Sequence, residues 1–155
     1  MSRSIKLFVI CILTITLSNC GYTPIFSNKN VNFNIENIEF SGDSIIEQKI
    51  NQILSNYKNK PNKGKKLSLT INGSKNRIVV SKNTKGEDQV YKIIVQVKMK
   101  VFLTKNNSFE KNMERSSTYS AVESKSEENL IEKKLIENLS TQIAQQIILE
   151  ILDNT

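Results

Sequence analysis

The sequence predicts an α+β fold: a two-layer sandwich in which two helices cover one face of a mostly antiparallel, four-stranded sheet. Three observations lead to this prediction. Apolar and polar residues alternate in four segments, as they do in strands with one buried face. Apolar residues recur every three to four positions in two other segments, as they do in amphipathic helices. The segments follow in the order β-α-β-β-β-α, and a chain of 155 residues suits one such domain.

The first nineteen residues have the composition of an export signal. Arg3 and Lys6 precede an uncharged apolar run over residues 7–17. As a helix, this run would span about 16 Å, far less than the roughly 30 Å of membrane hydrocarbon. Residues 1–19 are therefore predicted to be a cleaved signal peptide and not a transmembrane anchor.

The signal ends in the pattern of a lipobox, formed by Leu17, Ser18, Asn19 and Cys20. We expect the Cys20 thiol to carry a covalent lipid, and we expect no other cofactor. Three acyl chains on this residue would anchor the protein stably, because a single chain binds a membrane only marginally. Gly21 follows the cysteine where aspartate would favour retention at the inner membrane, so an outer-membrane location is predicted. An ordinary secretory signal with an incidental cysteine is the alternative.

The segment after the signal, residues 20–30, contains Pro24 and little periodicity, so it is predicted to be an acylated, extended tether. A single domain is expected over residues 31–155. Cleavage removes both cations of the signal, so the net charge falls from +7 to +5. The chain has no histidine and two cysteines, one of which leaves with the signal. This inventory excludes histidine-based zinc sites, Ser–His and Cys–His catalysis, and a disulfide framework.

The first half of the domain is predicted as a strand, a helix and a loop. Residues 31–40 alternate as a strand, with an irregularity near Asn37 where the apolar residues change phase. Residues 43–57 show the spacing of an amphipathic helix. Residues 58–66 contain five lysines with a proline and a glycine, which indicates a basic loop.

A long hairpin follows, with strands over residues 67–82 and 89–104. The second strand has one unbroken apolar row, whereas the apolar residues at 67–71 and at 78–80 of the first strand are out of phase. A strand that buries both sets must absorb one extra residue. We therefore expect a β-bulge near Gly73–Lys75.

The last two elements are a polar strand and a long helix. The weak pattern over residues 109–119 predicts an edge strand. A capping box at Ser120 or at Ser124 would start the helix, which is expected to run to about Leu152. Its unbroken row of apolar residues four positions apart is expected to pack on the sheet, and a partner helix in a coiled coil is the alternative.

Positive charge is concentrated in the hairpin and the loop before it, since residues 58–111 carry fourteen cations and three acids. Nucleic-acid binding is the usual interpretation of a basic sheet, but the export signal argues against it, and no aromatic residues interleave the cations within residues 58–90. A lysine-rich face that is merely solvated is one interpretation, and a site for lipopolysaccharide phosphates is the other. The candidate cations are those placed on the solvent face or tip of the hairpin, namely Arg77, Lys82, Lys85, Lys92, Lys98 and Lys100.

Residues 20–26 read Cys-Gly-Tyr-Thr-Pro-Ile-Phe. They resemble the mature start of the lipopolysaccharide-assembly lipoproteins, the LptE family, which is commonly Cys-Gly-aromatic-x-Pro-Leu-aromatic. The order of the predicted elements agrees with the layout of that family, including Ser117-Thr118-Tyr119 ahead of a long C-terminal helix.

The resemblance implies an outer-membrane lipoprotein that partners the β-barrel LptD, assists its assembly and binds lipopolysaccharide. We expect no enzymatic activity and no metal. Another envelope lipoprotein, such as a transporter accessory or a barrel-assembly subunit, is the alternative. A hydrolase with paired carboxylates is disfavoured, because no pocket pattern surrounds the acidic residues of the hairpin and the fourth strand.

Overall fold

The computed structural model describes residues 32–59, 64–104 and 107–155. The predictions for the signal peptide, for Cys20 with its lipobox and for the tether therefore lie outside the described residues. The described elements are β1 (Phe33–Gly42), α1 (Ser44–Leu54, followed by a 3-10 turn over Ser55–Tyr57), β2 (Lys65–Lys82), β3 (Asp88–Thr104), β4 (Asn107–Ser120) and α2 (Lys125–Asn154).

The predicted fold class is confirmed. The four strands form one sheet in the order β1-β2-β3-β4, so β4 lies at an edge as expected. β1 pairs with β2 in parallel, and the other two pairs are antiparallel. The parallel pair follows from the connection, because a helix between two strands allows them to run in the same direction.

The hydrophobic core lies between the sheet and the two helices. β3 contributes its complete apolar row, from Ile93 to Val101, at alternate positions. The row of α2 predicted to pack on the sheet is buried from Leu139 to Ile151, whereas its first two members, Ile131 and Leu135, are half-buried. The other large buried side chains come from β1, α1 and β2, and they include Phe33, Ile35, Ile46, Ile50, Leu54, Leu67, Leu69 and Ile71.

The irregularity predicted near Asn37 is confirmed. The register between β1 and β2 shifts between Ile35 and Asn37, so that Glu36 is an extra residue. The extra residue lets the apolar side chains on both sides of it face the core, because side chains alternate between the two faces of a strand.

Gly42 lies at the tight passage from β1 into α1. Its φ angle is +110°, and a Cβ atom at this position would lie 1.9 Å from the carbonyl oxygen of Gly73. The same oxygen accepts a hydrogen bond of 2.9 Å from the backbone N–H of Asp43. Both the backbone conformation and the available space therefore require glycine.

Each helix begins at a side-chain cap. The Asp43 carboxylate accepts hydrogen bonds from the N–H groups of Ile45 and Ile46, at 3.0 and 3.3 Å. The Ser124 hydroxyl accepts one from the N–H of Glu127 at 3.4 Å. Of the two caps considered for the last helix, Ser124 is therefore the one used.

Asp43 also links stability to pH. Burial alone would raise the pKa of its carboxyl group, but Lys75 at 3.0 Å and the capped N–H groups together hold the pKa below its ordinary value. A lowered pKa means that the stabilisation is present above about pH 4 and is lost as the pH falls through the pKa of the folded protein.

We expect Asp43→Asn to keep the cap and to lower the free energy of unfolding at pH 7 by about 0.5 kcal/mol, through loss of the partly exposed pair with Lys75. Urea denaturation at pH 7 and at pH 3 should show that this difference becomes smaller at the lower pH. Asp43→Ala is the control, since it also removes the cap and should cost about 1 kcal/mol. An equal effect of Asp43→Asn at both pH values would contradict the assignment.

The β-bulge predicted near Gly73–Lys75 is wrong. β2 and β3 keep one register from Ser68 to Val79, and the irregularities lie beyond Val79, near the hairpin tip. As a consequence, Ile78 faces away from the helices and stays 42% exposed. The odd-numbered residues of β2, including Lys75 and Arg77, turn toward the helices instead.

Candidate functional site

The sheet face opposite the helices, which we call the open face, carries three of the predicted lysines. Lys92, Lys98 and Lys100 alternate with the buried row of β3, so they point away from the core. The sequence correctly predicted that these three lysines lie on the face of the sheet opposite the core.

Two of these lysines share one acid. The Nζ atoms of Lys98 and Lys100 lie 3.9 and 2.9 Å from the carboxylate of Glu110 on β4. The hydrogen bond from Lys100 and the charges of both lysines lower the pKa of the Glu110 carboxyl group, so it stays ionised at neutral pH. Lys92 has no acidic partner among the residues that the structure describes, and the local charge of the open face is positive.

A hollow of about 350 Å³ lies on the open face beside Lys98. Polar and apolar groups line it in similar proportion, and the Gln96 side chain donates a hydrogen bond of 2.8 Å to the carboxylate of Glu114. The neutral donors and acceptors suit the hydroxyl groups of a ligand and Lys98 suits a negative charge, while the Glu114 carboxylate lies in the same lining and opposes one. The other lining residues are Asn72, Ser74, Val97, Asn112 and Met113.

The hairpin tip holds the next two candidates. Lys82 pairs with Asp88 at 3.1 Å. Lys85 lies in the predicted turn, where the side chain of Asn83 accepts hydrogen bonds from the N–H groups of Lys85 and Glu87. Gly86 completes this turn with a φ angle of +82°.

Arg77, the sixth candidate, is not on the open face. Because the register is uniform, its side chain lies under α2, where the guanidinium binds the carboxylates of Glu128 and Glu132, the latter at 2.8 Å. The guanidinium also stacks over the Tyr91 ring, 3.7 Å from its centroid. The sequence-based placement of Arg77 beside the three lysines is therefore wrong.

We call this group of side chains the arginine clamp: Arg77, Tyr91, Tyr119, Glu128 and Glu132. The Tyr119 hydroxyl donates to Glu132 at 2.5 Å and to Glu128 at 3.3 Å, and its ring stacks on Tyr91. Burial and the hydrogen bond to Glu132 raise the pKa of Tyr119, so its hydroxyl remains a donor. Assuming one uniform register along the hairpin would have placed Arg77 on the helix side of the sheet and so indicated this cluster.

Neighbouring groups stabilise the charged forms of Arg77 and Glu128. Burial alone would lower the pKa of Arg77, but the two carboxylates and the tyrosines raise it. A hydrogen bond from Lys125, at 2.5 Å, is the main cause that lowers the pKa of Glu128, and Arg77 adds to it. The clamp is thus an ion-pair network that ties the first turns of α2 to the hairpin, and its groups are engaged with one another.

No group of three or more metal-ligating side chains occurs within residues 32–59, 64–104 and 107–155. None of the described helices is both long enough and apolar enough to cross a membrane.

The fold and the open face define a class: a two-layer α+β domain with one covered and one polar, lysine-bearing sheet face. No protein-family model and no curated protein matches the sequence. Among solved structures, the chain is similar to rare lipoprotein B from Shewanella oneidensis, with a TM-score of 0.61 at 16% identity over 77% of this chain and 96% of that one.

Two further solved structures are similar. A minor lipoprotein from Acinetobacter baumannii gives a TM-score of 0.60 at 15% identity, over 80% of this chain and 93% of that chain. The uncharacterized lipoprotein B from Nitrosomonas europaea gives 0.54 at 12% identity, over 76% and 83%. The chain therefore has the fold of these lipoproteins.

Proposed function

We propose that this chain is a lipid-anchored outer-membrane protein that partners an LptD-like β-barrel in lipopolysaccharide assembly and binds lipopolysaccharide through the open face. The observation that carries the proposal is the combination of a lipobox ending at Cys20 with a domain that leaves one lysine-bearing sheet face uncovered. The similar solved structures support it, because each is named a lipoprotein.

The lipid on Cys20 would confine the domain to a membrane surface. Confinement raises the effective concentration of the domain for a barrel in the same membrane, so a modest interface suffices for a stable partnership. The role is one of binding, without a reaction and without a metal or cofactor beyond the covalent lipid.

Lipopolysaccharide offers phosphates and sugar hydroxyls close together. On the open face, the lysines suit the phosphates, and the hollow beside Lys98 suits the hydroxyls. Bound phosphates would replace Glu110 as the partner of Lys98 and Lys100. The candidate set contains Lys82, Lys85, Lys92, Lys98 and Lys100, while Arg77 is engaged in the clamp.

The partnership is tested by affinity purification of the tagged full-length chain from detergent-solubilised outer membrane. We expect a barrel of LptD size to co-purify, and we expect palmitate labelling of the wild type. Cys20→Ala should abolish the labelling and leave the precursor uncleaved. Labelling of Cys20→Ala, or a wild-type preparation that lacks the barrel, would contradict the proposal.

The ligand site is tested by a triple variant, Lys92→Gln, Lys98→Gln and Lys100→Gln. We expect its lipopolysaccharide binding to be about tenfold weaker at low ionic strength, with a smaller difference at high salt because exposed charges are screened. The matched control removes the same charge from the helix layer through Lys49→Gln, Lys133→Gln and Lys134→Gln. Equal binding by both triple variants would show that the open face is not the site.

A second candidate is another envelope lipoprotein interaction module whose lysines are simply solvated. The pairing of Lys98 and Lys100 with Glu110 favours this alternative, since it already satisfies part of the charge. Binding of the barrel without any binding of lipopolysaccharide would support it.

A further inference from the structure

β2 is longer than the strand beside it. β1 pairs with β2 from Lys65 to Gly73, whereas β3 pairs with it as far as Lys82. From Ser74 to Lys82, the edge of β2 opposite β3 has no neighbouring strand within the part of the chain that the structure describes. We call this segment the free edge.

Backbone geometry gives the free edge unpaired hydrogen-bonding groups. The Gly73 carbonyl points toward the β1 side, where it accepts from the N–H of Asp43. Alternate residues of a strand direct their backbone groups to the same side. Lys75, Arg77 and Val79 therefore present their N–H and C=O groups to the free edge.

The side chains make the free edge apolar. Ile78, Val79 and Val80 are 42%, 42% and 53% exposed. The cations of the segment are neutralised within the domain: Lys75 by Asp43, Lys82 by Asp88, and Arg77 in the arginine clamp.

The other edge strand of the sheet is protected differently. β4 carries an alternating run of exposed charges, Glu110, Lys111, Glu114 and Arg115, and such charges discourage pairing with another chain. The free edge lacks this protection, and it has no proline. A β-branched edge whose cations are paired within the domain is a template for strand addition.

We propose that the free edge binds an extended segment of a partner protein by strand addition. The segment that fits has alternating β-branched residues and lacks Lys and Arg, because Lys92, opposite Ile78, and Lys85, in the adjoining turn, have no acidic partner among the residues that the structure describes. The same two lysines disfavour a second copy of this chain, since self-pairing would bring the unpaired cations of two hairpins together. This inference goes beyond the proposed function and depends on neither the lipid nor lipopolysaccharide.

The test uses the full chain and a synthetic probe. The probe is a dye-labelled, acetylated peptide of alternating valine and threonine with aspartate at both ends. We expect saturable binding by fluorescence anisotropy, together with slower amide hydrogen exchange at Arg77 and Val79 in the complex. Absence of saturable binding would overturn the proposal, and so would protection of both amides in the protein alone, because the edge would already be covered.

Two variants at one position locate the binding. Val79→Pro removes an N–H group that faces the free edge and leaves the hydrogen bonds to β3 in place, so the affinity should fall about tenfold. Val79→Thr keeps the N–H group and the branched shape, so its affinity should match the wild type. Equal affinity of both variants would overturn the proposal. A dimer of the wild-type protein that Val79→Pro abolishes would also overturn it, in favour of self-pairing.

N-methylated peptides give the same information if Val79→Pro does not fold. Methyl groups on the alternate residues that face β2 should abolish binding, and methyl groups on the other alternate residues should leave it intact. Equal binding of the two peptides would exclude a backbone-paired complex.

Discussion

Replacing Gly42 with alanine is expected to lower the free energy of unfolding by about 4 kcal/mol, from backbone strain together with the loss of a backbone hydrogen bond. The φ angle of +110° is unfavourable for alanine, and the new Cβ would lie 1.9 Å from the Gly73 carbonyl oxygen. The clash displaces the acceptor of the Asp43 N–H at the point where β1 passes into α1. Chemical denaturation followed by circular dichroism measures the effect.

Gly86→Ala is the matched control for this prediction. Gly86 also has a positive φ angle, of +82°, but no atom lies within 4 Å of the position that its Cβ would take. It should cost only the conformational strain, about 1 kcal/mol. If the two variants lose the same stability, the close approach of Gly42 to Gly73 does not contribute.

Replacing Arg77 with methionine is the second large change, with an expected loss of about 2 kcal/mol. Methionine keeps much of the apolar stem but leaves two carboxylates without their shared cation, and the side chain of Glu128 is only 9% exposed. Glu132 would also stay bonded to Tyr119 without the compensating charge. Urea denaturation at pH 7 measures the loss.

Lys92→Met is the control, because it removes the same charge from the neighbouring strand on the open face. Its effect on stability should stay within about 0.5 kcal/mol. A loss for Arg77→Met no larger than that for Lys92→Met would show that the arginine clamp is not stabilising.

The effect of Arg77→Met should also depend on pH. The lowered pKa of Glu128 means that its ionised form stabilises the fold above about pH 4, and that this contribution disappears as the pH falls through the pKa of the folded protein. The difference between wild type and Arg77→Met should therefore shrink as the pH is lowered, because protonated Glu128 no longer needs a cation.

Local patterns in the sequence predicted most of the fold. The phase change near Asn37, the cap at Ser124 and the edge position of the fourth strand each depend on a few neighbouring residues, and each is confirmed. Periodicity is a reliable guide where one face of an element is buried along its whole length. The order and type of the elements followed from such local information.

The hairpin register could not be predicted in the same way. Burial of Ile78 requires a bulge, and the sequence predicts one because exposing a large apolar residue carries a cost. The structure leaves Ile78 exposed and turns Arg77 toward two carboxylates that lie more than fifty residues later in the chain. Only a long-range contact distinguishes the two registers, and alternation within one strand contains no information about it.

The hairpin register also decides which of the candidate site residues the sequence places on the correct face. Lys92, Lys98 and Lys100 were placed on the open face because the row of β3 is unbroken and fixes both of its faces. Arg77 belongs to β2, whose two apolar sets conflict, so its face depended on the register. The members of the clamp that come from β4 and α2 were missed for the same reason.

The longest strand, β2, has its two ends at opposite ends of the sheet. Lys65, at one end, contacts the backbone of Thr155 and pairs with Phe33, so the start of β1 and the end of α2 lie at the same pole of the domain. At a rise of about 3.3 Å per residue, the far end of the strand lies about 55 Å away. This length exceeds the thickness of the hydrocarbon core of a bilayer, which is about 30 Å. Reporter groups fused after Thr155 would leave that distant end unobstructed.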